Sequence, residues 1–172
     1  MTSPAEAVHG VVRVDYHQFR VADQTDPWNT EPAYNGLFAT APGQVVIYTG
    51  ASSGQVNLAV QPLPGPPPPP DLDAWDEIAD TTLEAPHGRA RIDTMMTDPP
   101  PLPDLTQTGP GSYRLRIHAR GRDTGPDSVA FEPVEDCLVQ AWPAPPAPDT
   151  IHKHTDTYGH DLARSAQWRN QM

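Results

Sequence analysis

Apolar and polar residues alternate with period two over much of the chain, the pattern of strands that bury one face. Residues 11–21 start this way, with Val12, Val14 and Tyr16 on one side. Past Tyr16 the apolar set moves to Phe19 and Val21, which predicts a strand carrying a bulge at that point. Residues 36–40 and 44–50 read as two short strands joined by the turn Ala41-Pro42-Gly43. A second turn, 50–54, leads into 55–61, where Val56, Leu58 and Val60 form an apolar face. Residues 74–84 predict a strand, or one helical turn running into a strand. In 88–95, Ala90 and Ile92 alternate with outward Arg89, Arg91 and Asp93. The clearest strand is 111–121. Its apolar side is Tyr113, Leu115, Ile117 and Ala119, and its polar side is Arg114, Arg116, His118 and Arg120. A sheet with one buried and one wet face gives this pattern. A last strand, 136–142, stops at Pro143.

Between these runs lie two proline-rich stretches, 62–70 and 98–104. The first predicts an exposed polyproline II spacer, because proline fixes φ and removes the backbone donor. After residue 144 the chain turns polar, and Leu162, Ala166 and Arg169 fall on one face of a short terminal helix. About eight short strands with turn signals between them predict an all-β domain, a two-sheet antiparallel sandwich over residues 1–143. Residues 144–172 form its polar tail.

Composition narrows the function. At 172 residues the chain fits one domain, and its low hydrophobic share reflects 23 prolines rather than excess charge. A net charge of −11 argues against general nucleic-acid binding, which needs a basic footprint. It suits a basic protein partner, though simple solubility accounts for it more readily. Cys137 is the single cysteine, so no internal disulfide forms, and its apolar surroundings predict a buried, inert thiol. The N-terminus lacks the basic start and apolar core of a signal peptide, and no apolar run reaches a membrane span. The expected location is the cytoplasm, with no membrane contact and no cofactor.

Candidate chemistry is sparse. No nucleophile elbow, phosphate loop or His-Glu-x-x-His is present. Asp15, Tyr16 and His17 alternate across a strand and cannot converge on one substrate, so Tyr16 reads as core and His17 as satisfied or partner-facing. A non-enzymatic binding role follows. Residues 71–84 hold Asp71, Asp73, Asp76, Glu77, Asp80 and Glu84 with no basic residue. With Trp75 as an aromatic anchor, Asp71, Asp73, Asp76, Glu77 and Asp80 could imitate a nucleic-acid backbone in the basic cleft of a nuclease or toxin. Tyr16 and His17 join this partner-binding set. The alternative working face is basic. Arg89, Arg91, Arg114, Arg116 and Arg120 would share an outer surface if their strands are neighbours, open to an anion or paired with the acidic segment. A metal alternative rests on His152, His154 and His160, with Asp156 able to complete the site and His17 or His118 as further donors, on a sandwich or cupin-like barrel. The opposing account is a set of solvated histidines in a flexible tail. A structural or assembly role, with the proline-rich loops as docking arms, is a third reading.

The strand order and four short stretches resemble the competence protein J family, inhibitors of a bacterial DNA-entry nuclease. They are Val14-Asp-Tyr-His-Gln-Phe-Arg-Val21, Leu37-Phe-Ala-Thr-Ala-Pro-Gly-Gln-Val-Val-Ile47, Gly111-Ser-Tyr-Arg-Leu115 and Leu138-Val-Gln-Ala-Trp142. The resemblance spans residues 11–143. It implies a compact β domain that binds and blocks a nuclease.

Overall fold

A computed structural model describes residues 6–125 and 128–171. In chain order the strands are β1 (Val8–Asp15), β2 (Gln18–Ala22), β3 (Phe38–Ala41), β4 (Gln44–Tyr48), β5 (Ser53–Pro62) and β6 (Glu77–Ala85). There follow β7 (Arg91–Asp93), β8 (Gly111–Arg120), β9 (Val129–Ala130), β10 (Asp136–Pro143) and β11 (Thr150–His154), then one helix, α1 (Thr157–Asn170). The largely β expectation holds, but the two-sheet antiparallel sandwich does not. All eleven strands join one sheet in the order β11-β6-β8-β10-β5-β1-β2-β4-β3, with β7 on β2 and β9 on β5. That sheet curls into a half-barrel and is mixed, because β10 and β9 both run parallel to β5. Period-two alternation cannot distinguish two packed sheets from one that curls round its own inner face.

The sharpest correction lies at Tyr16. Residues 11–21 are not one bulged strand but a hairpin, with Asp15 paired to Gln18 across a two-residue turn. Tyr16 and His17 both take left-handed backbone angles, φ 56 and 63. The apolar positions are mirror images about this pair: Val14 matches Phe19, and Val12 matches Val21, all fully buried. Tyr16, expected in the core, is 72% exposed. Beyond the turn the two strands part: β1 continues along β5 while β2 pairs with β4 and β7. The sheet bends there.

Inside the curl sits one core, built from Val12, Val14, Phe19, Val21, Val45, Ile47, Val56, Leu58, Leu83, Leu115, Ile117 and Val139 among others. The Thr40 and Thr81 hydroxyls, 2.9 Å apart, bring β3 against β6 and narrow the open side without backbone pairing. β8 departs from expectation on its other side, where Arg114, Arg116 and His118 are buried instead of wet. The proline-rich arms cover the two arginines, and Trp75 covers His118. Arg116 donates to Pro68 O at 3.2 Å, and Arg114 donates to Ala147 O and Pro148 O at 2.8 and 3.0 Å. A polyproline segment makes no internal hydrogen bonds, so its carbonyls are free to accept from these guanidinium groups. The tail is no loose appendage. β11 pairs with β6, and α1 buries Gly159 and Ala166.

Two glycines in left-handed turns separate backbone preference from packing. Gly43 (φ 74) has open space where a Cβ would lie, whereas a Cβ on Gly36 (φ 77) would sit 2.1 Å from Gly159 O. Gly43→Ala should therefore cost only the left-handed backbone penalty, about 1–2 kcal/mol. Gly36→Ala must also push α1 off the sheet and should cost clearly more, about 3 kcal/mol or above. Urea unfolding of the two variants, compared at equal m-value, measures the difference.

Candidate functional site

The hairpin turn at Tyr16–His17 forms a rim at the end of the sheet where β1 stops and β5 begins. A two-residue hairpin loop with both residues at positive φ ordinarily uses Asn-Gly or a similar pair. Here both positions carry large side chains, at a cost of roughly 1–2 kcal/mol each. His17 anchors the turn. Its N–H donates to Ser52 O (3.1 Å), its carbonyl accepts from Thr49 N (2.7 Å), and its Nδ1 donates to Thr49 O (3.0 Å). Its ring stacks on Tyr158 of α1 with centroids 5.9 Å apart. Tyr16 is left pointing outward. The pairings Asp15 with Ser53 and Ser53 with Val129 bring β9 to the same rim. There Val129 (53%), Phe131 (85%) and Val134 (46%) add exposed apolar surface.

Beneath the rim lies a buried ionic hub. Arg122, fully buried, holds Asp156 through Nε (2.7 Å) and Nη2 (2.8 Å). Its Nη1 donates to Gly36 O (2.9 Å) and Tyr48 O (3.3 Å), and Glu77 Oε1 lies 3.5 Å from Nη2. Asp156 also caps α1, with Oδ1 accepting from Gly159 N at 2.7 Å. Glu77 Oε2 accepts from the Thr155 and Asp156 amides. Burial raises the Glu77 carboxyl above its ordinary range; the His154 hydrogen bond opposes this, while the Asp156 charge adds to it. Glu135, likewise raised by burial, accepts from the Gly50 and Ala51 amides at 2.8 and 2.7 Å.

The acidic segment divides. Asp71 and Asp73 are exposed, with Asp71 Oδ1 accepting from Asp73 N. Asp76 is half-buried and accepts from Gly121 N (3.1 Å). Glu77 and Asp80 are buried and committed internally, which removes them from any acidic contact surface. Asp80 takes a bidentate pair from Arg116 at 2.8 and 3.1 Å. Burial alone would raise the Asp80 carboxyl, but hydrogen bonds from Arg116 and His152 outweigh it and hold the group low. Trp75 is half-buried, packed against His118 (5.2 Å between centroids) and under the Arg120 guanidinium (4.5 Å).

The five arginines expected on one face are not brought together. Arg89 and Arg91 are exposed beside β2, because β7 pairs with β2 and not with β8. Arg114 and Arg116 lie under the proline-rich arms, and only Arg120 of the β8 set is exposed, paired with Asp136 at 2.8 Å. The histidines also separate. His152 Nε2 stands 3.0 Å from Asp80, while His154 Nδ1 meets Glu77 at 2.6 Å and its ring lies 4.0 Å from that of His160. His17 is at the rim and His118 under Trp75. Among the described residues no cluster of three or more His, Cys, Asp or Glu is placed to hold a metal. Cys137 is buried, and burial pushes its thiol up, as expected of an inert group. Among the described residues no helix is long and apolar enough to cross a membrane.

Sequence reading did not foresee the pairing of Arg122 with Asp156 at the centre of the hub. A Thr-Asp ahead of a helical stretch was the one local signal, an N-cap preference; nothing in the chain pointed to Arg122 as its partner.

No family model matches the chain, and no curated protein matches it. A solved structure does share its fold. ComJ, an inhibitor of the DNA-degrading activity of NucA from Bacillus subtilis, superposes with a TM-score of 0.57 at 14% identity. The match covers 81% of this chain and 98% of ComJ. The product of crocagin biosynthetic gene J gives a TM-score of 0.48 at 12% identity, with the same coverage. The resemblance to the competence protein J family therefore holds at the level of the fold.

Two predictions follow from the buried charges. Arg122→Met leaves Asp156 and Glu77 without their counter-charge and should cost about 3–5 kcal/mol. Limited proteolysis should then release α1 before the sheet is cut. His118 is lowered by burial from 6.5 to about 4, so the folded protein keeps it neutral while the unfolded chain charges. Its contribution is full above pH 6.5 and is lost as pH falls from there towards 4, on the order of 2–3 kcal/mol. The raised carboxyls of Glu77 and Glu135 act in the opposite sense at the acid end. The difference between wild type and His118→Gln, from urea melts at pH 7 and pH 4.5, isolates the histidine and should shrink on acidification.

Proposed function

We propose that this protein is a binding protein of the nuclease-inhibitor type, which docks on a protein partner through the Tyr16–His17 rim. The observation that carries this reading is an exposed aromatic on a left-handed, glycine-free turn that two other segments, the 49–52 loop and α1, hold in place. Non-glycine residues kept at positive φ are rare and persist where the surroundings over-determine them, often at binding sites. A rigid tyrosine, with Phe131 exposed on the same rim, is the kind of anchor that dominates protein–protein affinity. The fold shared with ComJ supports an inhibitor-like role.

Charge would serve encounter rather than anchoring. The acidic segment enters β6 at the same end of the sheet, with Asp71 and Asp73 still exposed, on a chain of net charge −11. Such a field speeds association with a basic partner and weakens with salt. The contact set becomes Tyr16 and Phe131 with Asp71 and Asp73, and Trp75 supports that loop. His17 holds the turn, and Glu77 and Asp80 serve the interior. A cytoplasmic, non-enzymatic role fits this reading.

The test is direct. The purified protein is used to capture nuclease activity from its source lysate at low ionic strength, with NucA as a first defined target. Inhibition of plasmid degradation should titrate to a fixed stoichiometry and weaken in about 0.5 M salt. Tyr16→Ala should raise the concentration for half-inhibition by about tenfold or more at unchanged stability. If no nuclease is retained or inhibited, or if Tyr16→Ala and Phe131→Ala inhibit as well as wild type, the rim is not the working face.

A further inference from the structure

A second feature, independent of the rim and of any inhibitory role, lies where β11 meets α1. His154 closes β11 and His160 sits in the first turns of α1, and their rings approach to 4.0 Å between centroids at an interplanar angle of 36°. Both line a pocket of ≈ 360 Å³ shared with Tyr34, Asn35, Ile151 and Arg164. His154 is not a casual surface imidazole. Its Nδ1 donates to Glu77 Oε1 at 2.6 Å, and that carboxylate is itself fixed by the Thr155 and Asp156 amides and by Arg122. With the proton directed to Nδ1, Nε2 keeps its lone pair, on a ring that lines the pocket. A carboxylate behind one imidazole nitrogen is the arrangement that orients metal-ligating histidines and raises their basicity.

We propose that His154 and His160 form a two-histidine site for a borderline transition-metal dication such as Zn²⁺ or Ni²⁺, with Glu77 as the positioning group behind His154. The distances allow it. With metal–nitrogen bonds of about 2.0–2.1 Å, two imidazoles bound side by side at roughly a right angle have centroids about 4.5 Å apart, so a small opening of the present pair suffices. Two imidazole nitrogens select zinc, nickel or copper over magnesium or calcium, which prefer oxygen. The remaining positions would be filled by water, since the pocket is open and His152 is turned to Asp80. Arg164, which lines the pocket, pairs with Asp161 at 3.6 Å. A bound ion would tie the edge strand to the terminal helix across the face that the Arg122 hub fixes from within.

The test uses the full, untagged chain and the metal alone. Titration calorimetry with zinc or nickel chloride at pH 7.5 should show one equivalent bound. Nickel should broaden the ring NMR signals of His154 and His160 ahead of the other five histidines. His160→Ala, at an exposed position, and His154→Ala should each weaken binding at least tenfold, and His152→Ala should leave it within about twofold. Glu77→Gln should weaken it by roughly 10–100-fold if the carboxylate positions His154. An affinity unchanged in His160→Ala, a loss equally large in His152→Ala, or no saturable binding in the folded wild type overturns the proposal. None of these outcomes depends on nuclease inhibition.

Discussion

The Arg122 guanidinium is the constraint around which the molecule closes. It reaches Gly36 and Tyr48 on one side of the curled sheet, Glu77 at the start of β6, and Asp156 at the head of α1. No strand ladder joins β4 to β6, so the curl is held on this side by side chains. A buried ion pair gives little net stability, because desolvating each charge costs as much as the attraction returns. What it gives is uniqueness. Two carboxylates and an arginine, all buried, have one arrangement that satisfies them, and any other register of the tail leaves a charge stranded. The close approaches obey the same constraint. Gly36 and Gly159 lie too near each other for a Cβ on Gly36, so the helix seats in one place.

The outer face of β8 repeats this logic with different chemistry. Arg114, Arg116 and Arg120 alternate along the strand and present donors that an exposed sheet would leave to water. Over Arg114 and Arg116, though not over Arg120, the chain instead lays extended arms, rich in proline and so rich in unsatisfied carbonyls. The unusual proline content is therefore part of the packing. It supplies rigid acceptors at low entropic cost, since proline has little backbone freedom to lose. Asp80, Thr82 and His152 complete the layer, so polar groups form a second interior on the far side of the apolar core.

What the sequence disclosed and what it hid divide along this line. The inner face of β8, the strands at 44–48 and 55–61, the terminal helix and the inert Cys137 were all legible, because local period or surroundings dictates each. The hairpin at Tyr16–His17 was half visible. The mirror placement of Val12 and Val14 against Phe19 and Val21 marks it, but Tyr-His is a poor turn pair by composition and invited a bulge instead. The burial of Arg114, Arg116 and His118 was not legible, because the cover comes from residues 30–50 positions away. The separation of Arg89 and Arg91 from the β8 arginines followed from strand order, which alternation does not encode. Nor does alternation reveal that Glu77 and Asp80 face inward to partners while their neighbours Asp71 and Asp73 stay in water.

These two interiors bear on function by what they leave over. Each buried charge in the hub and under the proline arms has a partner, so its residue type is explained by the fold alone. Tyr16 is not explained in that way. Its turn would form more easily with Asn-Gly, and the residue is 72% exposed and buries little, so stability favours a different residue on both counts. The energy stored there is held by His17, through contacts to the 49–52 loop and to Tyr158 of the helix that Arg122 seats. A rigid scaffold thus carries a locally unfavourable feature at an exposed rim, beside Phe131. That is the expected layout when an aromatic must be presented in a fixed orientation, because ordering it in advance removes part of the entropic cost of binding.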